Sequence, residues 1–142
     1  MLCLKRSKEG FTLIELMVVV AIITVLVVMG ARFYSGQVDK ARNAVVKANV
    51  STIQFFIQAE LLDETVSAVN SVVGTAGADS ALIISASIHN PYTGTAQKRN
   101  GIAGVGGDPG DVYVTEIDGI FSINGNNADE KDVYATPLTA RK

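Results

Sequence analysis

Phe11 to Ala31 reads FTLIELMVVVAIITVLVVMGA, an apolar run of 21 residues whose single ionisable side chain is Glu15. At about 1.5 Å per residue a helix of this length matches the roughly 30 Å hydrocarbon core of a bilayer. The segment before it, MLCLKRSKEG, carries Lys5, Arg6 and Lys8 against Glu9. Short basic flanks stay on the cytoplasmic side. The expected orientation therefore places the N terminus in the cytoplasm and everything after Ala31 across the membrane. A cleavable secretory signal is a poorer reading. Its apolar core is shorter, and no small-x-small site stands at Met29-Gly30-Ala31-Arg32-Phe33.

Glu15 is the residue a plain anchor has no use for. A carboxylate in a membrane helix costs a few kcal/mol on insertion scales and points to a function with a partner. Phe11 lies four residues earlier, on the same helical face. A cut between Gly10 and Phe11 would leave a cationic amine on Phe11. That amine could pair with a Glu15 carboxylate of the same chain or of a neighbour, and so set the register between subunits.

The order Lys5-Arg6-Ser7-Lys8-Glu9-Gly10 followed by Phe11-Thr12-Leu13-Ile14-Glu15 resembles the leader and cleavage site of type IV pilins and type II secretion pseudopilins. The resemblance covers residues 5–31. It implies that a membrane prepilin peptidase cuts after Gly10 and methylates the new amine of Phe11. It also implies that Glu15 serves subunit docking. Where many relatives carry a kinking proline, this chain has Arg32, preceded by Gly30, which still weakens the helix.

Beyond Ala31 the helical pattern runs on without proline. Val46, Val50, Ile53, Ile57 and Leu61 recur at helical spacing, with Asp39, Arg42, Lys47 and Gln54 largely off that stripe. One helix from about Phe11 to about Leu62 is expected, apolar all round in its first half and amphipathic in its second. The expected organisation is a leader at 1–10, a transmembrane and filament-core helix at 11–31, its amphipathic continuation at 32–62, and a globular head at 63–142. Residues 63–79 could extend the helix by two turns. Ser80 to Ile88 suits a short helix capped by Asp79 or Ser80, ending before the turn Asn90-Pro91-Tyr92-Thr93-Gly94. Gln97 to Gly110 reads as an exposed glycine-rich loop. Asp111 to Ile117 and Ile120 to Ile123 flank Asp118-Gly119 as a hairpin. A third strand is expected near Val133 to Thr136, stopped by Pro137. The fold class is α+β: a long helix packed by its second half on a small antiparallel meander, a lollipop of stalk and head.

Composition removes other functions. One Cys and one His cannot make a Cys/His zinc site, and Cys3 would leave with the leader. Removing residues 1–10 takes the formal charge from −2 to −4, with 9 basic and 13 acidic residues left, so no specific nucleic-acid partner is expected. GIAGVGGDPG lacks the Lys-Ser/Thr of a phosphate loop. His89 has no nucleophile or orienting group beside it in sequence and suits a turn-side hydrogen bond. Tyr92, Tyr113 and Tyr134 read as packing residues, and Asn49-Val50-Ser51 is a glycosylation sequon placed mid-helix. The oxygen-rich stretch Asn124 to Asp132 is open to two readings: a polar hairpin loop, or a calcium site using Asp129 and Asp132. No other cofactor is expected.

The function these features imply is a non-enzymatic subunit of a type IV pilus-like filament. Its partners would be further copies of itself, the prepilin peptidase and methyltransferase, an assembly ATPase with its inner-membrane platform, and membrane lipid before assembly. A pseudopilin of a secretion or DNA-uptake system is the near alternative. A single-pass adhesin or binding domain is the alternative of another class, and an anchored enzyme would need a pocket of convergent titratable groups.

Overall fold

A computed structural model of the chain describes residues 10–102, 107–129 and 131–142. The leader expected at 1–10 lies outside these residues except for Gly10. The elements are α1 (Leu13–Asp63), α2 (Val66–Val73), α3 (Ala81–Ala86), β1 (Val112–Ile117), β2 (Ile120–Gly125) and β3 (Leu138–Arg141). The chain divides into two compact units, Met1–Gln37 and Val38–Lys142.

In the first unit α1 is apolar on every side from Leu16 to Ala31, and its side chains are exposed throughout. Its most apolar 18-residue window has a mean hydropathy of 2.8 and is 0% buried. Among the described residues this is one helix long and apolar enough to cross a membrane. A helix apolar all round is stable only where lipid or other helices surround it.

The second unit is built on the other half of α1. Val46, Val50, Ile53, Ile57 and Leu61 are its buried residues, the same stripe the sequence periodicity picks out. They join Val112, Val114, Phe121, Ile123 and Ala140 of the sheet in one core, with Val69, Val73, Leu82 and Ile83 closing it from α2 and α3. Each fully buried aliphatic side chain contributes about 1.5–3 kcal/mol relative to its exposed state. Gly125, at the end of β2, sits directly against α1. A Cβ there would lie 2.5 Å from Val46 Cγ1 and 3.3 Å from Val50 Cγ2.

The helix does not continue past Asp63 as one rod. Thr65 is extended (φ −80°, ψ 155°), and its hydroxyl accepts from Ala68 N at 3.2 Å, starting α2 as a separate helix. The hydroxyl satisfies an N–H that a new helix leaves unpaired, which stabilises the break. Ser80 caps α3 as expected, accepting from Ile83 N at 3.3 Å.

The sheet order is β1-β2-β3, antiparallel throughout. Val112 pairs with Gly125 and Ile117 with Ile120 around Asp118-Gly119, whose φ values of 54° and 79° are those of a tight hairpin turn. The third strand is displaced from its expected place. It is Leu138–Arg141, after Pro137, and pairs Arg141 with Ile120 and Leu138 with Ile123. Val133 to Thr136 bend instead, because Val133 N donates to Gly125 O at 2.8 Å and Tyr134 N to Asn124 Oδ1 at 3.1 Å. Those residues wrap the end of β2, and Pro137, with no N–H to give, precedes the strand rather than stopping it.

The segment expected as an exposed loop at Gln97 to Gly110 is partly core. Gln97 and Asn100 are buried and lie along β1. Gln97 accepts from Val112 N at 2.9 Å and donates to Val112 O at 2.6 Å. Asn100 does the same to Val114, at 2.7 and 2.9 Å. Each amide therefore stands in for a peptide group of a missing neighbour strand. On the opposite side of the sheet, Gln54 and Gln58 of α1 donate to the carbonyls of Thr139 (2.9 Å) and Arg141 (3.2 Å). The tip of the glycine-rich stretch, residues 103–106, lies outside the described residues.

Candidate functional site

Gly10, Phe11 and Thr12 precede the first turn of α1 and are not helical. Gly10 is exposed, with no heavy atom of the described residues within 4 Å of where a Cβ would sit, and Phe11 is 86% exposed. Among the described residues the Gly10–Phe11 peptide thus lies in an exposed, non-helical segment.

Glu15 is bound back onto this segment. Its Oε2 accepts from Thr12 N at 2.9 Å and from Thr12 Oγ1 at 2.8 Å, while Glu15 N reaches Thr12 Oγ1 at 3.4 Å. This is a capping box, in which residues three apart satisfy two N–H groups that the start of a helix leaves unpaired. Its signature, Thr12-x-x-Glu15 before an apolar run, is visible in the sequence, although the Phe11–Glu15 spacing draws attention first. The box does more than start the helix. It turns the carboxylate toward the N-terminal end of α1, beside the residue whose amine a cut would expose, and the helix dipole also favours negative charge there. Gly10, Phe11 and Glu15 are therefore gathered at one helix start.

The remaining candidates lie in the second unit and are occupied by packing. The Tyr113 hydroxyl donates to Asp132 Oδ1. Burial first, and the Asp132 carboxylate second, hold that phenol above the ordinary tyrosine range. Asn127 Oδ1 accepts from the backbone N–H groups of Asp129 (2.9 Å) and Lys131 (3.0 Å), which folds the loop on itself. Asp132 is thus tied to Tyr113 and Asp129 to the turn. Among the described residues no group of three or more His, Cys, Asp or Glu side chains is placed to hold a metal ion.

His89 is exposed, and its Nδ1 lies 3.1 Å from Ser87 O, the turn-side bond expected of it. Its own carbonyl accepts from Asn49 Nδ2 at 2.9 Å, so the amide of the sequon is engaged within the fold. Tyr92 donates to Asn43 Oδ1 at 3.0 Å beneath the Arg42 guanidinium, and Lys47 covers the Tyr134 ring. Sequence reasoning missed the role of Asn90. Its side chain donates to Pro109 O and to Asp111 Oδ1, both at 2.8 Å, and accepts from Tyr92 N at 2.7 Å. Burial raises the Asp111 pKa, with the Asn90 hydrogen bond opposing the shift and the Asp108 charge adding to it.

Residues 5–31 match the family described as the prokaryotic N-terminal methylation motif, which is typical of the type IV pilin and pseudopilin superfamily. No curated protein and no solved structure matched the chain. The matched stretch contains the Gly10–Phe11 junction, Glu15 and the apolar first half of α1.

Proposed function

We propose that this chain is a structural subunit of a type IV pilus-like filament, made as a precursor that sits in the cytoplasmic membrane with residues after Ala31 outside. A prepilin peptidase removes residues 1–10, and its methyltransferase activity modifies Phe11. The Phe11 amine and a Glu15 carboxylate then pair between neighbouring subunits. Exchange of lipid for identical helices around residues 11–31 is driven by packing together with that pair, since lipid tails are as apolar as the side chains they leave. Energy for extraction comes from a separate ATPase and its membrane platform. The observation that carries this reading is a methylation motif continuous with an apolar helix that the described residues leave uncovered.

Intact-mass measurement of the protein from its native membrane tests the reading. A chain that begins at methylated Phe11 supports it; one that begins at unmodified Met1 overturns it and favours a single-pass binding domain. Deletion separates the two filament roles. Loss of surface filaments fits a pilin, and loss of protein secretion with filaments intact fits a pseudopilin.

A further inference from the structure

The half of α1 within Val38–Lys142 carries two apolar stripes, of which its own head covers one. The buried stripe runs from Val46 to Leu61. On the opposite side of the helix a second stripe steps three and four residues at a time from Val38 to Leu62. Val45, Phe55 and Leu62 on it are 44%, 72% and 76% exposed. The 3-4 alternation holds for eight successive positions, none of them charged, although Asp39, Lys40, Arg42, Lys47 and Glu60 are all interleaved with it. A single amphipathic helix needs one such stripe. An apolar pattern of period seven kept over more than three repeats is that of a seam between two helices.

The composition of the stripe says what covers it. One position of the repeat holds Val38, Val45, Thr52 and Ala59, three of them β-branched. The other holds Ala41, Ala48, Phe55 and Leu62. β-branched residues at the first position favour two parallel strands, and the alanines at Ala41, Ala48 and Ala59 allow close approach, with Phe55 and Leu62 supplying the larger side chains of the second position. The flanks are self-compatible. In a parallel, in-register pair Gln37 faces Arg42, Ala44 faces Asn49, Ser51 faces Phe56 and Gln58 faces Asp63, so no like charges are opposed. Two copies anchored in one membrane enter it in the same direction, and confinement raises the effective concentration of each for the other.

We infer that two copies of this chain pair through the outer face of α1 between Val38 and Leu62, as a parallel in-register seam formed before any filament. The inference rests on the membrane-anchored part of the proposed function and not on polymerisation. The described residues further along the chain close the core from the other side of the helix, leaving Ala41, Val45, Ala48, Phe55, Ala59 and Leu62 of the seam exposed and Val38 and Thr52 half-buried.

Single-cysteine variants in full-length protein test it, in a Cys3→Ser background and in membranes that lack prepilin peptidase, so that no polymer forms. A disulfide requires Cα atoms about 4.4–6.8 Å apart. Ala48→Cys and Phe55→Cys should cross-link to dimers under mild oxidation at least about fivefold more than Lys47→Cys and Glu60→Cys, which lie off the seam. Equal yields at all four positions, or dimers confined to the off-seam pair, would overturn the inference. So would cross-links that arise only once the peptidase is restored, because the contact would then belong to the polymer. Failure of the filament reading is distinguishable: a chain found to start at Met1 leaves the expected cross-link pattern unchanged.

Discussion

Asn100 holds Val114 by both of its backbone groups, accepting from the N–H at 2.7 Å and donating to the C=O at 2.9 Å. A 0%-exposed amide that pairs two buried peptide groups is costly to remove, because each orphaned group carries a desolvation penalty of about 1–3 kcal/mol. Asn100→Ala should therefore destabilise the head by about 3 kcal/mol. Asn100→Asp keeps the acceptor but sets a buried carboxylate against Val114 O. It should be at least as damaging at neutral pH and should recover in part as acid protonates the carboxyl. Urea denaturation of the full chain in detergent, followed by tyrosine fluorescence, reads both.

Gly125→Ala should destabilise by about 1–3 kcal/mol, the usual cost of overpacking a filled core. The new methyl would press on Val46 and Val50, so either the helix or the end of β2 must shift. A second-site Val46→Ala should recover part of the loss. If the two substitutions are simply additive in the same denaturation assay, the steric account is wrong.

The Tyr113–Asp132 bond gives the head an alkaline limit. The folded phenol titrates above its unfolded value of about 10, so the folded state prefers the protonated form. Stability from this group is fully present below pH 10 and is lost as pH rises through the folded pKa. Tyr113→Phe should cost about 1 kcal/mol at neutral pH through the lost hydrogen bond. It should also flatten the fall in stability above pH 10, measured as the urea midpoint against pH.

Glu15 can be separated from its capping role by two substitutions. Glu15→Gln can still accept from Thr12 N and keeps the box without the charge, whereas Glu15→Ala loses both. Both should insert in the membrane, and both should reduce filament yield at least tenfold by electron-microscopic counting. The Ala variant should in addition weaken the start of α1, read as greater fraying of its first turn by amide hydrogen exchange. Normal filament yield in Glu15→Gln would remove charge pairing from the proposed assembly step.

Much of this is legible in the sequence, for local reasons. The core stripe from Val46 to Leu61 follows from the 3.6-residue period, and the Gly10–Phe11 junction with Glu15 is a contiguous motif. The third strand departs from expectation because Val133, Tyr134 and Thr136 have strand-forming side chains, yet Asn124 and Gly125 draw their backbone across the end of β2. Gln97 and Asn100 are hidden for a related reason. Their partners lie 15 and 14 residues away, and an amide in a glycine-rich stretch gives no periodic signal. Side chains that replace backbone partners belong to tertiary structure and leave little trace in sequence.

Those amides have a consequence for the filament proposed above, in which heads would be packed densely. A short open sheet with bare flanks offers its N–H and C=O groups to any strand nearby, and identical sheets crowded together are prone to stack into cross-β aggregates. Here Gln97 and Asn100 engage both backbone groups of Val112 and Val114 on β1, while Gln54 and Gln58 take the Thr139 and Arg141 carbonyls of β3, so part of each flank is used within the molecule. In the filament proposed above, this partial use of the flanks would lower the tendency of neighbouring heads to template one another.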